Sequence, residues 1–281
     1  MRLGKLVRPA WAAAAALAAV GAVCPALAGE PAVSALNFKV TAQGGHVDEE
    51  DAWLGLVQVT APIAQAWGVQ GEGGVFGVNG DTGYGLAGHV FTRDPSMYLL
   101  GAFGAWAHAE GAGDVDVGRI GIEGEYYLEK LTFSANTGYQ FGDSFIDDTW
   151  FGEAQVRWYL DNDFALSGGV AFDDDVAITQ FSAEWLVGTA SSLPGLALRG
   201  DVAMGDNGFD SVMGGITYYI GPDASLKDRH RKQDPDSALF DLKTAIEAGC
   251  QAPVQQLLMK AQIVIIEPIN SCGQTIYYPP G

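Results

Sequence analysis

Basic residues are scarce in this chain. It carries 15 Lys and Arg against 34 Asp and Glu, a formal charge of −19 at pH 7. The stretch 29–221 is more one-sided still, with 6 bases and 27 acids, and that balance excludes a nucleic-acid surface. Cysteine is scarcer, at Cys24, Cys250 and Cys272 only, too few for a disulfide scaffold or a cysteine metal site. The four histidines, His46, His89, His108 and His230, stand apart. His46 falls in a loop and His230 in the tail. His89 and His108 face one way on adjacent strands, with residue 101 opposite His89, so at ~3.3 Å per residue they are ~20 Å apart. No Ser, Asp or Glu constellation converges on any of them, and the chain does not read as an enzyme. The acidic runs lack the spacing and glycine of an EF-hand loop, so neither a metal nor a cofactor is expected. Beyond residue 28, no apolar run approaches the ~20 residues that a transmembrane helix takes.

What the chain has is alternation. In 119–128, Arg119, Gly121, Glu123 and Glu125 fall on one face and Ile120, Ile122, Gly124, Tyr126 and Leu128 on the other. The same pattern resumes after Glu129-Lys130. Period two on both sides of a tight polar turn predicts a β-hairpin. The unit recurs at 37–44, 53–61, 64–75, 84–92, 98–109, 119–128, 131–141, 150–160, 164–172, 176–187, 196–204 and 212–220, about twelve strands, with the weakest alternation in the second and third. The 38 glycines suit such a protein and not a helical one.

A sheet with one apolar face and no helices to cover it predicts an all-β fold: a transmembrane, antiparallel, up-and-down barrel in lipid, polar inside. A soluble sandwich or lipocalin-like barrel would show the same alternation. The charges on the polar face and the rings Tyr126, Trp158, Trp185 and Tyr218 near strand ends favour lipid. Residues 1–28 read as a cleaved secretory signal, 29–221 as the barrel and 222–281 as a small, mostly helical or irregular periplasmic tail.

The connections form two alternating classes. One is short (62–63, 93–96, 129–130, 161–163 and the longer 188–195), and the other is acidic, without a base (46–51, 79–83, 110–114, 142–149, 173–175, 206–210). They alternate as periplasmic turns and extracellular loops do. In the tail, Asp236 and Gly249 bound a helix 237–248 with Leu239, Leu242 and Ile246 as its apolar stripe. A shorter helix 254–260 and a strand 263–266 follow. Lys227, Arg229, Arg231 and Lys232 form a basic segment within reach of anionic headgroups, or else a solvated linker. Cys250 and Cys272 are expected to pair in an oxidising compartment.

The last predicted strand, Gly215-Ile216-Thr217-Tyr218-Tyr219-Ile220, resembles the assembly signal of Gram-negative outer-membrane β-barrels, the porin-like class. The basic exit segment 221–235 resembles that of some alphaproteobacterial members. Two departures stand out: Met213 replaces a polar residue, and the strand is not C-terminal. The resemblance implies outer-membrane lipid and the barrel-assembly machinery as partners, with loops extracellular and the tail periplasmic.

The inward charges are the candidate site: Lys39, Glu72, Arg119, Glu123, Glu125, Asn136, Glu153, Arg157, Glu184, Arg199 and Asp201. Register places Glu123 opposite Asn136, Asn136 near Arg157, and Glu184 opposite Arg199. These groups would either neutralise one another or form a constriction that selects small hydrophilic solutes by charge. The expectation is a narrow pore with a weak preference for cations. The rival is a non-conducting barrel that anchors the tail or presents acidic loops to a partner.

Overall fold

A computed structural model describes residues 29–110, 114–142, 148–173, 177–187 and 193–250. Twelve strands follow one another: β1 (Asn37–Val47), β2 (Glu50–Ala64), β3 (Trp67–Val78), β4 (Asp81–Asp94), β5 (Tyr98–Ala109), β6 (Val115–Tyr127), β7 (Leu131–Gly142), β8 (Thr149–Tyr159), β9 (Phe164–Phe172), β10 (Ala177–Leu186), β11 (Leu196–Gly205) and β12 (Asp210–Ile220). Each pairs antiparallel with its sequence neighbour. β12 returns to β1, from Phe38↔Ile220 to Val47↔Ser211, and closes the barrel. Closure removes the free edges that lipid cannot satisfy.

The alternation sorts side chains as the sequence predicts. Phe38, Val40, Val57, Leu86, Ile120, Ile122, Phe133, Phe181, Ile216 and Ile220 are exposed on the outside, with Tyr126, Trp158 and Trp185. In water this belt would far exceed the few hundred Å² of apolar patch on an ordinary monomer. Against acyl chains it is the favourable surface. The fold is a transmembrane β-barrel of twelve strands.

Several connections are tighter than the composition suggests. Asn79 and Gly80 both have positive φ (52° and 89°), as do Asp48 and Glu49 (49° and 68°). Two such residues in a row match the right-handed twist of the flanking strands, so the expected loops 46–51 and 79–83 shrink to turns and His46 belongs to β1. β2 runs through Pro62 to a bulge between Pro62 and Ala64, where proline's missing N–H costs little. That hairpin therefore turns at 65–66, not at 62–63. The acidic connections lie on one side of the barrel and both barrel ends on the other, called here the acidic side and the turn side. The longest connection, 187–195, is on the turn side, so charge and not length distinguishes the two.

The expected periplasmic tail is corrected for its first part. Ser225 caps α1 (Leu226–Lys232) by accepting a hydrogen bond from the Asp228 N–H at 3.2 Å. This helix, absent from the sequence reading, crosses the turn-side mouth. The predicted second helix is present as α2 (Ala238–Cys250), but it lies inside the barrel. Its stripe of Leu239, Leu242 and Ile246 is buried with the inward side chains Leu54, Leu56, Phe76, Phe103, Phe151 and Met213. Residues 29–36 also fold beneath the mouth: Val33 packs with Phe91, Leu99 and Tyr127, and the Ser34 N–H donates to the Lys232 carbonyl at 2.8 Å. Residues 1–28, the expected helix 254–260, the strand 263–266 and Cys272, hence the Cys250–Cys272 pairing, lie outside the described residues.

Candidate functional site

The basic exit segment does not face headgroups. Arg229 and Arg231 are buried. Arg231 donates to the Leu128 and Leu131 carbonyls at 2.6 and 2.8 Å, and its guanidinium lies over the rings of Tyr127 and Tyr159. The Arg229 guanidinium lies over Tyr219. Lys232 pairs with Glu30 and Asp228. Cations at the C-terminal end of a short helix, the two arginines on carbonyls and rings and Lys232 on carboxylates, lock α1 into the mouth. His230 completes the lock. It sits between Tyr159 and Tyr219, both at 3.2 Å, and 3.4 Å from Glu184. Burial, joined by repulsion from Arg157, holds its imidazole below the ordinary value despite Glu184.

Inside, the histidine reading is corrected: two carboxylates converge on His89. It faces Glu72 at 2.8 Å through Nε2 and Glu123 at 3.0 Å through Nδ1. It lies opposite Phe103, not residue 101. Glu72 is wholly buried and also accepts hydrogen bonds from Ser237 Oγ at 2.6 Å and from the Ala238 and Leu239 N–H groups at 3.3 and 3.2 Å. Those N–H groups belong to the first turn of α2 and have no partner within the helix. A wall strand thus supplies the negative cap that a helix start favours. Ser237 Oγ also accepts from the Phe240 N–H at 3.1 Å, so its hydroxyl joins the helix start to Glu72.

α2 leans on β3, β4 and β5, where Gly74 and Gly85 make room for it. A Cβ on Gly85 would come within 2.5 Å of Leu239, and one on Gly74 within 3.1 Å of the same side chain. The opposite wall stays polar. Between it and α2 lies a cavity of about 100 Å³, lined by Lys39, Glu123, Glu125, Asn136, Glu153, Arg157, Arg199 and Asp201 of the wall, and by Asp236, Ser237, Phe240, Asp241, Lys243 and Thr244 of the tail. Four bases and six acids border this space.

Each sequence-predicted site residue faces the interior, though not always with the expected partner. Glu123 is opposite Asn136 and Glu184 opposite Arg199, as the alternation requires. Asn136 pairs with Glu153, its Nδ2 donating at 3.2 Å, and Arg157 lies opposite Thr132. The slip of four residues keeps the face and changes the neighbour: Gln140 meets Thr149, so the start of β8 pairs further down β7 than the loop arithmetic placed it. Gln180 also donates to Glu153. Arg199 forks onto Asp201 at 2.8 Å and lies over the Phe240 ring. Asp201 accepts from Gln43 as well. Arg119 donates to Gln140 at 2.9 Å beside the Phe151 ring. Glu125 accepts from Tyr127 OH, Glu184 accepts from Tyr219 OH, and Lys39 lies over the Tyr219 ring. Glu72 leaves the pore wall to hold α2.

Arg157 meets Asp236 at 2.7 Å, where the chain enters the lumen. Lys243 and Glu247, one turn apart and both buried, pair at 2.7 Å.

The sequence reading missed His89, Asp236, Phe240 and the apolar seat of α2. Two signals pointed to that seat: Met213 at an inward position and the weak alternation of β2 and β3, whose inward side chains include Leu54, Leu56 and Phe76.

This architecture is that of the outer-membrane porin and channel barrels. The chain is similar to the KdgM porin solved in complex with disordered oligogalacturonate (8% identity, TM-score 0.51, 64% of this chain and 98% of that one). It is equally similar to the COG4313 outer-membrane channel from Pseudomonas putida F1 (11% identity, TM-score 0.51, 70% and 99%). At such identities the likeness is one of fold. No family model and no curated protein matches the sequence.

Proposed function

We propose that this protein is an outer-membrane channel narrowed by its own C-terminal helix, passing only ions and small hydrophilic solutes along the polar wall. The observation that carries this reading is the charged cavity of about 100 Å³ between α2 and that wall. An interior meant only to be filled would not keep so many charged groups, even paired ones, beside open space. The acidic connections then face outward from the cell, and the outward face of β12 is the one offered to the assembly machinery. The six acids and four bases around the cavity, with an acidic mouth whose own connections hold no Lys or Arg, favour cations. That preference is modest, because paired charges cancel at close range and the mouth acts within about 8 Å at physiological salt.

Planar-bilayer recording of the full-length protein tests the reading. A small conductance is expected, with reversal potentials in a KCl gradient on the cation side that fade as salt rises. Anion selectivity would place Arg157 and Arg199 unpaired at the constriction. A second reading, a non-conducting barrel, is favoured by the apolar packing of α2 against β3–β5. A bilayer closed at every voltage would establish it.

A further inference from the structure

The route of the chain after β12 has a direction. α1 is pinned to turn-side connections: the Lys227 N–H donates to the Asn162 carbonyl at 2.9 Å, and the Leu226 N–H to Asp163 at 3.2 Å. A few residues on, Ser237 and Ala238 are already at Glu72, midway along β3. Leu239 then fills the space left by Gly74 and Gly85, four positions from the acidic-side ends of their strands. Thr244 borders a small second cavity with Phe172 and Asp173, at the acidic-side end of β9. With a rise of ~1.5 Å per residue, the thirteen residues of α2 cover ~20 Å, enough to climb from mid-barrel to the acidic rim.

The contacts along this path are those of a resident element. Apolar side chains meet apolar inward positions, the helix start is capped by Glu72, and the buried Lys243 has Glu247 at 2.7 Å. A tail that hung free below the barrel would require none of Leu54, Leu56, Phe76 and Met213 to point inward.

We propose that the barrel carries its own C-terminal segment across the membrane. Residues 236–250 thread the lumen from the turn side toward the acidic side, so that the chain beyond Cys250 leaves from that side. That segment suits delivery past an acidic rim, because it holds a single acid, Glu267, and a single base, Lys260. The threading stands on the structure alone. Its reading as display outside the cell rests on the proposed function, which sets the acidic side outward.

The test is labelling of intact cells with a membrane-impermeant maleimide. Cys250→Ser leaves Cys272 as the sole cysteine beyond the leader. Two controls in a Cys250→Ser/Cys272→Ser background mark the sides: Asp51→Cys for the acidic side and Lys130→Cys for the turn side. The expected result is that Cys272 and the Asp51→Cys control label while the Lys130→Cys control stays protected until the membrane is opened. Cys272 behaving like the Lys130→Cys control overturns the threading. If the two controls exchange behaviour, the outward orientation fails, and the threading stands only if Cys272 follows the Asp51→Cys control. Since a thiol can be shielded, an epitope tag after Gly281 is read in parallel with antibody on intact cells. A tag that follows the turn-side control overturns the proposal.

Discussion

The two walls of this lumen differ. Along β2–β5 the inward positions toward the acidic side include Leu54, Leu56, Phe76 and Phe103, with glycines at 74 and 85, and they seat the apolar stripe of α2, while Glu72 caps its start. Along β7–β11 they are Asn136, Glu153, Arg157, Gln180, Arg199 and Asp201, and they face open space. Both walls obey the same period of two. What differs is the chemistry of the inward set, and it reports what each wall meets: water tolerates charge, and a resident helix requires apolar surface. An apolar residue pointing into a barrel is therefore as informative as a charge pointing out of one.

The strongest way to break the contrast is to remove the helix. A chain ending at Pro235 should show a conductance several-fold larger than the full-length protein in a planar bilayer, with its cation preference retained. An unchanged conductance would mean that α2 does not limit the passage.

A single truncation on the apolar side should come next. Leu242 is fully buried, and Leu242→Ala should cost about 3 kcal/mol of helix docking from lost packing and the cavity left behind. Hydrogen exchange of the α2 amides, faster in the variant while the barrel strands stay protected, would show it.

Glu72→Gln should cost less, about 1–3 kcal/mol, because it keeps the shape but weakens five hydrogen bonds, one of them to His89. The same exchange measurement should place the loss at the first turn of α2. Loss spread over the whole barrel would assign Glu72 to the wall instead.

The smallest effect belongs to the polar wall. Asp236 keeps 42% of its side chain exposed, so Asp236→Asn should weaken docking by about 1 kcal/mol or less. The pair lies beside open space, so the difference between wild type and Asp236→Asn in α2 exchange should shrink as salt rises. A difference that salt leaves unchanged would remove the charge from the account.

How much of this was legible varies with the distance over which it was decided. The Glu123–Asn136 and Glu184–Arg199 pairs followed from hairpin arithmetic, because a short turn fixes which residue lies opposite. Arg157 was misplaced by four positions because the longer connection before β8 does not fix which residue lies opposite, as a short turn does. Face assignment survived the error, since a slip of four preserves parity. The histidine clusters were illegible for a different reason. Glu72, His89 and Glu123 come from β3, β4 and β6, and their meeting depends on side chains reaching across the curved wall.

The sequence by itself determined the β-strand pattern, the faces, a count of about twelve strands and the apolar exterior, because all of these follow from a period of two read within ten or so residues. It also held the α2 stripe of Leu239, Leu242 and Ile246. Only the tertiary structure decided where that stripe goes. An amphipathic helix states that it needs an apolar partner but not which one. Here the partner is assembled from inward positions on several strands, remote in sequence, that become one surface only when the barrel closes.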